Sequence, residues 1–487
     1  MKKRSGSRNS HRLAASIAVA CGLAAAGQAG AVHLDPRGSG QVLLYPYYTV
    51  NKGQQTYVTV LNTGDRAKMV SVSFREGYNS RQVMSFRVFL APYDTWTGTV
   101  FALADIAGEG GDGAAILTGD RSCTAPDFWT EGHGTVGGSP YARFSSTEFA
   151  TDEGPQGSAR TREGHIEIFA MADLTGTLAE AVSFRSGLPT DCARVRNLVV
   201  ATAETVAPSG GLTGSGAVIN VGQGTYFSYR PEALGGFTSI PLLNAFEPID
   251  LLDAVNDGDS STVTARVAAD GRLIEASYGV ETSNERIDAV SAVLMAETLY
   301  NEYVVQTAIG ANSDWVVTFP TKRFYTDPLL WVGETAAEPF VELFGENGSC
   351  VRAQMAHFNR ESAVAPNGGF GAPFAEPRLC YGTNVLSFVG LPVTQSAALG
   401  SRLLVRDFAV RFDAGHAALN LNPSSEPHAL FPSLGADAKV FHGLPTIGFW
   451  AVNLVNSNVA DGVMSNYSAA VPHGSRVSCT AGETACD

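Results

Sequence analysis

The residue group with the most recognisable metal-binding chemistry is an acidic cluster in DAVNDGDSS, residues 253–261. Carboxylate and amide oxygens at short spacing around a glycine are ligands that calcium prefers. The spacing of an EF-hand is not met, and its twelfth-position glutamate is missing, so a polar turn is the competing interpretation. Calcium is the one cofactor that the sequence suggests, with these candidate ligands: Asp253, Asn256, Asp257 and Asp259.

Acid–base chemistry is conceivable in HIEIFAM, residues 165–171. In a β-strand His165 and Glu167 share one face, whereas Ile166 and Ile168 share the other. If the polar face is buried, Glu167 is a candidate acid or base with a shifted pKa. The alternative, which we favour, is a solvated polar face opposite an apolar one.

Familiar catalytic signatures are missing from the sequence. GEGGDG at 108–113 matches GxGxxG, but its two carboxylates would repel a phosphate and no helical pattern follows, which favours a solvated loop. GxSxG and HExxH do not occur, and the histidines are scattered singly. We therefore predict no recognisable catalytic machinery and favour a non-enzymatic role. A hydrolase site assembled in space is an alternative.

The N-terminus has the composition of a secretory signal peptide. Five basic residues precede an apolar stretch, and Ala29-Gly30-Ala31 fits a cleavage site, so residues 1–31 are predicted to be removed. Without those five of its 33 basic residues, the chain keeps 28 against 47 acidic residues, a net charge of −19. This charge argues against binding to nucleic acid. No later stretch is apolar for long enough to form a membrane helix.

Six cysteines remain after the signal peptide, as expected for an oxidising compartment. Fifteen pairings are possible, and we expect sequential pairing, which closes three local loops. The predicted partners are Cys123 with Cys192, Cys350 with Cys380, and Cys479 with Cys486. Zinc is the less favoured interpretation, because no finger-like spacing occurs.

Short alternating segments dominate the chain and predict a mainly β fold. Residues 56–62, 70–76 and 85–92 each alternate at period two and are separated by turn-forming residues. This pattern is typical of antiparallel β-sandwiches, and the length suggests two or three such immunoglobulin-like units with long loops and a few short helices. We predict first-domain strands at 32–103, a loop-rich insertion with the remaining strands of that domain at 104–260, and one or more further β-rich domains at 261–487. Residues 289–305 are predicted as one helix.

GQVLLYPYYTV, residues 40–50, is apolar on both faces and contains Pro46. Proline cannot donate to a β-ladder, so we expect this strand at a sheet edge or at a change of sheet. Burial in its own sandwich is the default. Donation of the strand to a neighbouring molecule is the alternative. The candidate assembly or aromatic binding residues are Val42, Leu44, Tyr45, Tyr47, Tyr48 and Trp96.

Four segments carry a resemblance to known proteins: GSGQVLLYPYYTVN (38–51), FREGYNS (74–80), LAPYDTW (90–96) and ANSDWVVTFPTK (311–322). Together they resemble a group of exported bacterial cell-surface proteins, and residues 56–101 are similar to bacterial immunoglobulin-like domains. The resemblance transfers no catalytic residue.

The expected function is that of a secreted or cell-surface structural or adhesive protein. Its location would be periplasmic, outer-surface or extracellular, and its partners would be further copies of itself or a cell-surface partner. The alternatives are an extracellular hydrolase and a module that binds carbohydrate or another ligand.

Overall fold

The computed structural model describes residues 30–198, 200–243, 250–255, 261–269, 271–280, 285–331, 333–364, 376–389, 393–456, 460, 463 and 465–486. The described chain is mainly β, with several antiparallel sheets and few helices, which confirms the predicted fold class. Of the described helices, none combines the length and apolar character needed to cross a membrane.

Two large sheets form the first unit. In spatial order, the first sheet contains His33–Leu34, Glu232–Gly235, Val42–Thr49, Glu163–Leu174, Ala67–Glu76, Gln82–Leu90 and Cys123–Ala125, with Thr205–Val206 paired to Glu163–Leu174. The second sheet contains Thr225–Tyr229, Leu212–Asn220, Gln55–Asn62, Thr95–Ala102, Ala114–Leu117, Ser139–Arg143 and Gly134–Val136. Alternate apolar residues of both sheets, such as Ile166 and Val58, share one buried core.

Two further sheets form the second unit. The third sheet contains Gln354–Asn359, Ala414–Asn420, Thr298–Val304 and Gly474–Arg476. The fourth contains Val405–Ala409, Thr383–Val389, Ala311–Thr318, Ile447–Leu454 and Tyr467–Pro472. Stacked rings of Tyr303 and Phe388, with centroids 5.3 Å apart, join the third sheet to the fourth.

The remaining elements are short. Small two-stranded sheets pair Phe184–Arg185 with Leu188–Pro189, Thr262–Ala269 with Arg272–Gly279, Met295–Ala296 with Leu444–Pro445, and Val351–Arg352 with Arg378–Leu379. A three-stranded sheet has Ser478–Ala481 between Lys439–His442 and Thr484–Ala485. The α-helices are Phe128–Glu131, Gly176–Val182, Cys192–Arg196, Glu285–Leu294 and Arg323–Thr326. The 3-10 helices are Asn51–Gly53, Leu103–Asp105, Thr147–Thr151, Ser158–Arg162, Leu251–Ala254 and Thr307–Ile309.

The strand Val42–Thr49 pairs with Glu163–Leu174 over its length, and its residues 42–44 also pair with Glu232–Gly235, so its prediction as an edge strand is wrong for that half. From Tyr45 onward, no second partner strand occurs among the described residues. Opposite it the register shifts: Gly164 pairs with Tyr48, and Ile166 pairs with Tyr45. Pro46 therefore lies in a β-bulge, where the missing amide hydrogen breaks no ladder bond. The carbonyl oxygen of Pro46 accepts a hydrogen bond of 2.7 Å from Thr318 of the second unit.

Within residues 104–260, Ala114–Leu117 extends the second sheet and Cys123–Ala125 extends the first. One local prediction is corrected. The helix predicted at 289–305 ends at Leu294, and Thr298–Val304 continues as a strand. A short, densely apolar stretch is compatible with either a helix or a strand. Here the pairing of residues 298–304 with neighbouring strands determines that they form a strand.

The three disulfides are those that sequential pairing predicts. Cys123 bonds to Cys192, Cys350 to Cys380, and Cys479 to Cys486. The first of them joins the outermost strand of the first sheet to the helix Cys192–Arg196.

The two units pack tightly against each other. Leu43 and Val72 of the first sheet belong to the same buried core as Val385 and Phe449 of the fourth. The rings of Tyr229 and Phe449 stack across the junction with centroids 4.8 Å apart. The predicted domain boundary at 260 stays a prediction, because strand pairing changes near it while the apolar core continues across.

Candidate functional site

The polar face of the strand Glu163–Leu174 is buried, so its prediction as a solvated face is wrong. His165 and Glu167 are 0% exposed, and Ile166 and Ile168 on the opposite face lie in the sandwich core. The side of the first sheet that carries His165 and Glu167 is covered by residues 250 and 323, which follow the strands of the first unit. In a β-sandwich the outer face of each sheet is normally exposed to solvent, but here the second unit covers the outer face of the first sheet.

Four residues form the first charge cluster: Arg75, Glu167, Asp250 and Arg323. The Arg75 Nε donates to Glu167 at 2.6 Å, and Nη1 of Arg323 lies 2.8 Å from the other carboxylate oxygen. Arg323 also donates to both oxygens of Asp250, at 2.6 and 2.7 Å, while Arg75 lies 3.0 Å from Asp250. Two guanidinium groups and two carboxylates thus form a closed, electrically balanced network.

The electrostatics of this cluster keep Glu167 ionised. Burial alone would raise the pKa of Glu167, but the charges of Arg323 and Arg75 outweigh it and hold the pKa well below its usual range. For His165, burial is the largest influence and lowers the pKa, so the ring is neutral at pH 7. Its Nε2 lies 3.4 Å from Glu167, and neither ring nitrogen hydrogen-bonds to any of the described residues.

A second charge cluster lies beside the first and contains Glu76, Arg81, Asp152, Arg160 and Asp327. Arg160 donates to Asp152 at 2.6 Å and lies 2.8 Å from Glu76. Arg81 reaches Asp152 at 3.2 Å and Asp327 at 2.9 Å. The side chains of all five are at most 9% exposed. Because Asp327 belongs to the second unit, this cluster also joins the two units.

Glu76 also makes hydrogen bonds to the backbone within the first unit. Its carboxylate accepts hydrogen bonds from the backbone amides of Tyr78, Asn79 and Arg81, at 2.6, 2.9 and 2.9 Å. These contacts fix the turn after the strand Ala67–Glu76. This turn positions Tyr78 so that its ring stacks on Tyr381 of the second unit, with ring centroids 4.2 Å apart.

The chemistry available to the two clusters is that of a buried ionic interface. A general base needs an unoccupied lone pair within reach of a substrate proton. The Glu167 carboxylate is instead held between two guanidinium groups and is 0% exposed. Catalytic residue types are therefore present, but their contacts hold the two units together.

Other histidines bind backbone carbonyl groups. The ring of His428 lies between the carbonyl oxygens of Pro339 and Arg352, at 2.9 and 3.3 Å. The Nε2 of His473 donates to Val316 at 3.0 Å, and burial lowers the pKa of His473 to about 4. Both rings therefore tie loops or strands together.

The candidate assembly residues also lie inside the protein. Their side chains are 0% exposed, which rules out the proposed exposed aromatic face: Val42, Leu44, Tyr45, Tyr47, Tyr48 and Trp96. Buried tyrosines need hydrogen-bond partners. The hydroxyl of Tyr45 donates to Thr59 at 2.6 Å, that of Tyr47 to Glu163 at 2.9 Å, and that of Tyr48 to Thr161 at 3.0 Å.

The calcium candidate is only partly described. Asn256, Asp257 and Asp259 lie outside the described residues. Asp253 lies directly beyond Leu252 in the 3-10 helix Leu251–Ala254, and its Oδ1 has no hydrogen-bond partner among the described residues. Burial and the charge of Asp250 raise the pKa of Asp253 to about 7. Among the described residues, no three His, Cys, Asp or Glu side chains lie close enough together to hold a metal ion.

We expect Asp253→Asn to stabilise the protein at pH 8 by about 1–3 kcal/mol. The folded-state pKa of about 7 exceeds the ordinary value of 3.8, so ionisation of Asp253 costs stability as the pH rises through 7. The gain should vanish below about pH 4, where Asp253 is protonated in both states. Urea unfolding at both pH values measures it. Calcium-dependent stabilisation of the wild type that Asp253→Asn abolishes would contradict this account and support a metal site.

Lys322 is a second buried ionisable residue that should affect how the stability of the protein depends on pH. Its Nζ donates to the carbonyl oxygen of Ser349 and lies 3.4 Å from that of Leu379, the residues that precede Cys350 and Cys380. Burial lowers the pKa of Lys322 to about 7. The ammonium group is therefore half ionised near neutral pH.

Between about pH 7 and pH 9.5 the unfolded chain binds a proton at Lys322 that the folded chain lacks, so stability should rise with pH. We expect Lys322→Met to remove about 2–3 kcal/mol of that rise. The measurement is the free energy of unfolding across this range. Lys439→Met, at a partly exposed lysine, is the control. Parallel wild-type and Lys322→Met curves would contradict the expectation.

Four of the cluster residues that the sequence analysis missed lie in or shortly after two of the segments quoted above. FREGYNS contributes Arg75 and Glu76, and the residues after ANSDWVVTFPTK contribute Arg323 and Asp327. Charged residues embedded in otherwise apolar and aromatic strand ends were the available signal, since unpaired charges are rarely buried.

Comparison with known proteins adds no functional assignment. The chain matches no protein-family model, no curated protein and no solved structure.

Proposed function

We propose that this chain is an exported bacterial protein of the cell surface with a structural or adhesive role. The observation that carries the proposal is the first charge cluster. It uses the most enzyme-like residues of the sequence, including Glu167, as contacts between two β units. A protein that must stay in one shape outside the cell benefits from such an interface.

Export is supported by the cysteine chemistry. Three disulfides are typical of proteins that fold in the periplasm or beyond it, where thiols are oxidised. The predicted signal peptide at 1–31 and the net negative charge of the remaining chain agree with that location.

Several features favour this role over the two alternatives. A hydrolase needs its acid or base open to substrate, and Glu167 is closed off by Arg75 and Arg323. A carbohydrate module needs exposed aromatic rings, whereas the tyrosines at 45, 47 and 48 are buried. Donation of the opening strand is also disfavoured, because Val42–Thr49 pairs with Glu163–Leu174 within its own sheet and its residues 42–44 pair with Glu232–Gly235 on the other side.

The experiment that tests the proposal combines location with phenotype. Protease treatment of intact cells should cleave an epitope-tagged protein while a cytoplasmic marker survives. Cells without the gene should attach less to surfaces or to each other, and the wild-type gene should restore attachment. Retention of the protein in the cytoplasm, or turnover of ester, glycoside or peptide substrates by the pure protein, would overturn the proposal.

A further inference from the structure

A cavity of about 440 Å³ lies where the N-terminal strand meets the second unit. It is lined by His33 and Glu232 of the first sheet and by residues 293–296 and 446–448 of the second unit. A smaller cavity of about 160 Å³ lies beside it and shares Pro36, Glu232 and Gly448. The larger volume falls within the range of roughly 300–1,000 Å³ that is typical of small-molecule sites.

The lining of the larger cavity is mainly aliphatic. Its apolar side chains come from both units: Leu34, Leu273, Val293, Leu294, Met295, Leu299, Ile447 and Val477. No tyrosine, tryptophan or phenylalanine lies among the described residues that line it. Sugars are usually stacked on such rings, so this lining suits an alkyl chain better than a carbohydrate.

Glu232 is the one carboxylate among the described residues that line the larger cavity, and it lies at the junction of the two cavities. It belongs to the strand Glu232–Gly235, where alternation places it on the same face as Leu234, and Leu234 packs in the core of the second unit. No ion pair or side-chain hydrogen bond joins Glu232 to any other described residue. Burial raises the pKa of Glu232, and no neighbouring cation offsets that rise.

The basic groups that line the larger cavity already have partners. Arg266 donates to Glu275 at 2.6 and 3.0 Å. The Nδ1 of His33 lies 2.8 Å from the carbonyl oxygen of Ala31, and His473 donates to Val316. The cavity therefore presents one uncompensated carboxylate within an aliphatic wall.

We propose that this cavity is a binding site for a small aliphatic amine, with the ammonium group at Glu232 and the alkyl chain against Leu294, Leu299 and Ile447. A partly buried carboxylate without a counter-charge is unfavourable, and a ligand cation removes that penalty. The aliphatic wall supplies the remaining binding energy by excluding water from the chain of the ligand. This activity goes beyond the structural role proposed above and is independent of it.

The test is isothermal titration of the purified, disulfide-bonded protein with n-octylamine, n-octanol and octanoate at pH 7.5. We expect saturable binding of the amine, at least tenfold weaker binding of the alcohol, and no binding of octanoate. Glu232→Gln keeps the size of the side chain and removes its charge. It should weaken amine binding at least tenfold and leave the binding of octanol unchanged.

Two further variants control for indirect effects. Ser475→Trp fills the cavity from an exposed lining position and should weaken both amine and alcohol. Glu302→Gln removes an exposed carboxylate outside the lining and should change neither. The proposal fails if the amine does not bind up to about 10 mM, if octanoate binds as well as the amine, or if Glu232→Gln retains full amine affinity. Unchanged melting temperatures show that the variants are folded.

Discussion

Replacement of Arg323 by alanine should destabilise the protein by about 3–5 kcal/mol. The change removes the guanidinium group that contacts both Glu167 and Asp250. Arg75 alone then faces two carboxylates, one of which is 0% exposed, and an uncompensated buried charge is costly. Urea unfolding followed by tryptophan fluorescence measures the loss.

The matched control is Arg352→Ala. Arg352 also lies near two carboxylates, at 3.5 and 3.6 Å, but its side chain is 53% exposed. Exposed pairs contribute less than about 1 kcal/mol, so the control should unfold almost like the wild type. An equal loss in both arginine variants would show that burial of the first charge cluster does not matter.

A double variant separates the cost of an unpaired charge from the loss of packing. Arg323→Met with Glu167→Met removes one charge of each sign and keeps the contact of 3.0 Å between Arg75 and Asp250. We expect it to recover most of the stability that Arg323→Ala loses, because apolar replacement of a buried ion pair is often neutral. Failure to recover would assign the loss to packing.

Removal of the disulfide between Cys123 and Cys192, by alanine at both positions, should cost about 4 kcal/mol. The bond closes a loop with a sequence separation of 69, and a long closed loop restricts the unfolded chain strongly. It also anchors the helix Cys192–Arg196 beside a small core that contains Leu174 and Leu178. Denaturant unfolding of the oxidised variant measures the effect.

The disulfide between Cys479 and Cys486 supplies the comparison. Its sequence separation is only 7, so the same chain-entropy argument gives about 2–3 kcal/mol. The order of the two losses is the prediction. If the short loop matters as much as the long one, the stabilisation does not come from restriction of the unfolded chain.

Local patterns in the sequence were sufficient to predict several strands of the first unit. The alternation in residues 56–62 and 70–76 corresponds to the strands Gln55–Asn62 and Ala67–Glu76, because an antiparallel sandwich imposes a period of two on each strand. The acidic cluster at 253–259 was visible as composition, but only Asp253 lies among the described residues.

Features that depend on contact between the two units could not be predicted from local sequence patterns. The alternation around His165 and Glu167 is that of a solvated strand face. The face is buried because Arg323, more than 150 positions later in the sequence, packs against it. Pro46 indicated an edge strand, but the register shift against Gly164 and Ile166 of the neighbouring strand places Pro46 in a bulge. Tertiary contacts decided both cases.

The position of the first charge cluster along the chain has a consequence for the order of folding. The strands of the first unit are complete at Gly235, ahead of Asp250 and Arg323 in the chain. The N-terminal unit of a chain generally folds first. While the second unit is still unfolded, Arg75, His165 and Glu167 keep part of the uncovered sheet hydrated, which lowers its tendency to aggregate. The charges that later bind the second unit thus first protect the partly folded protein.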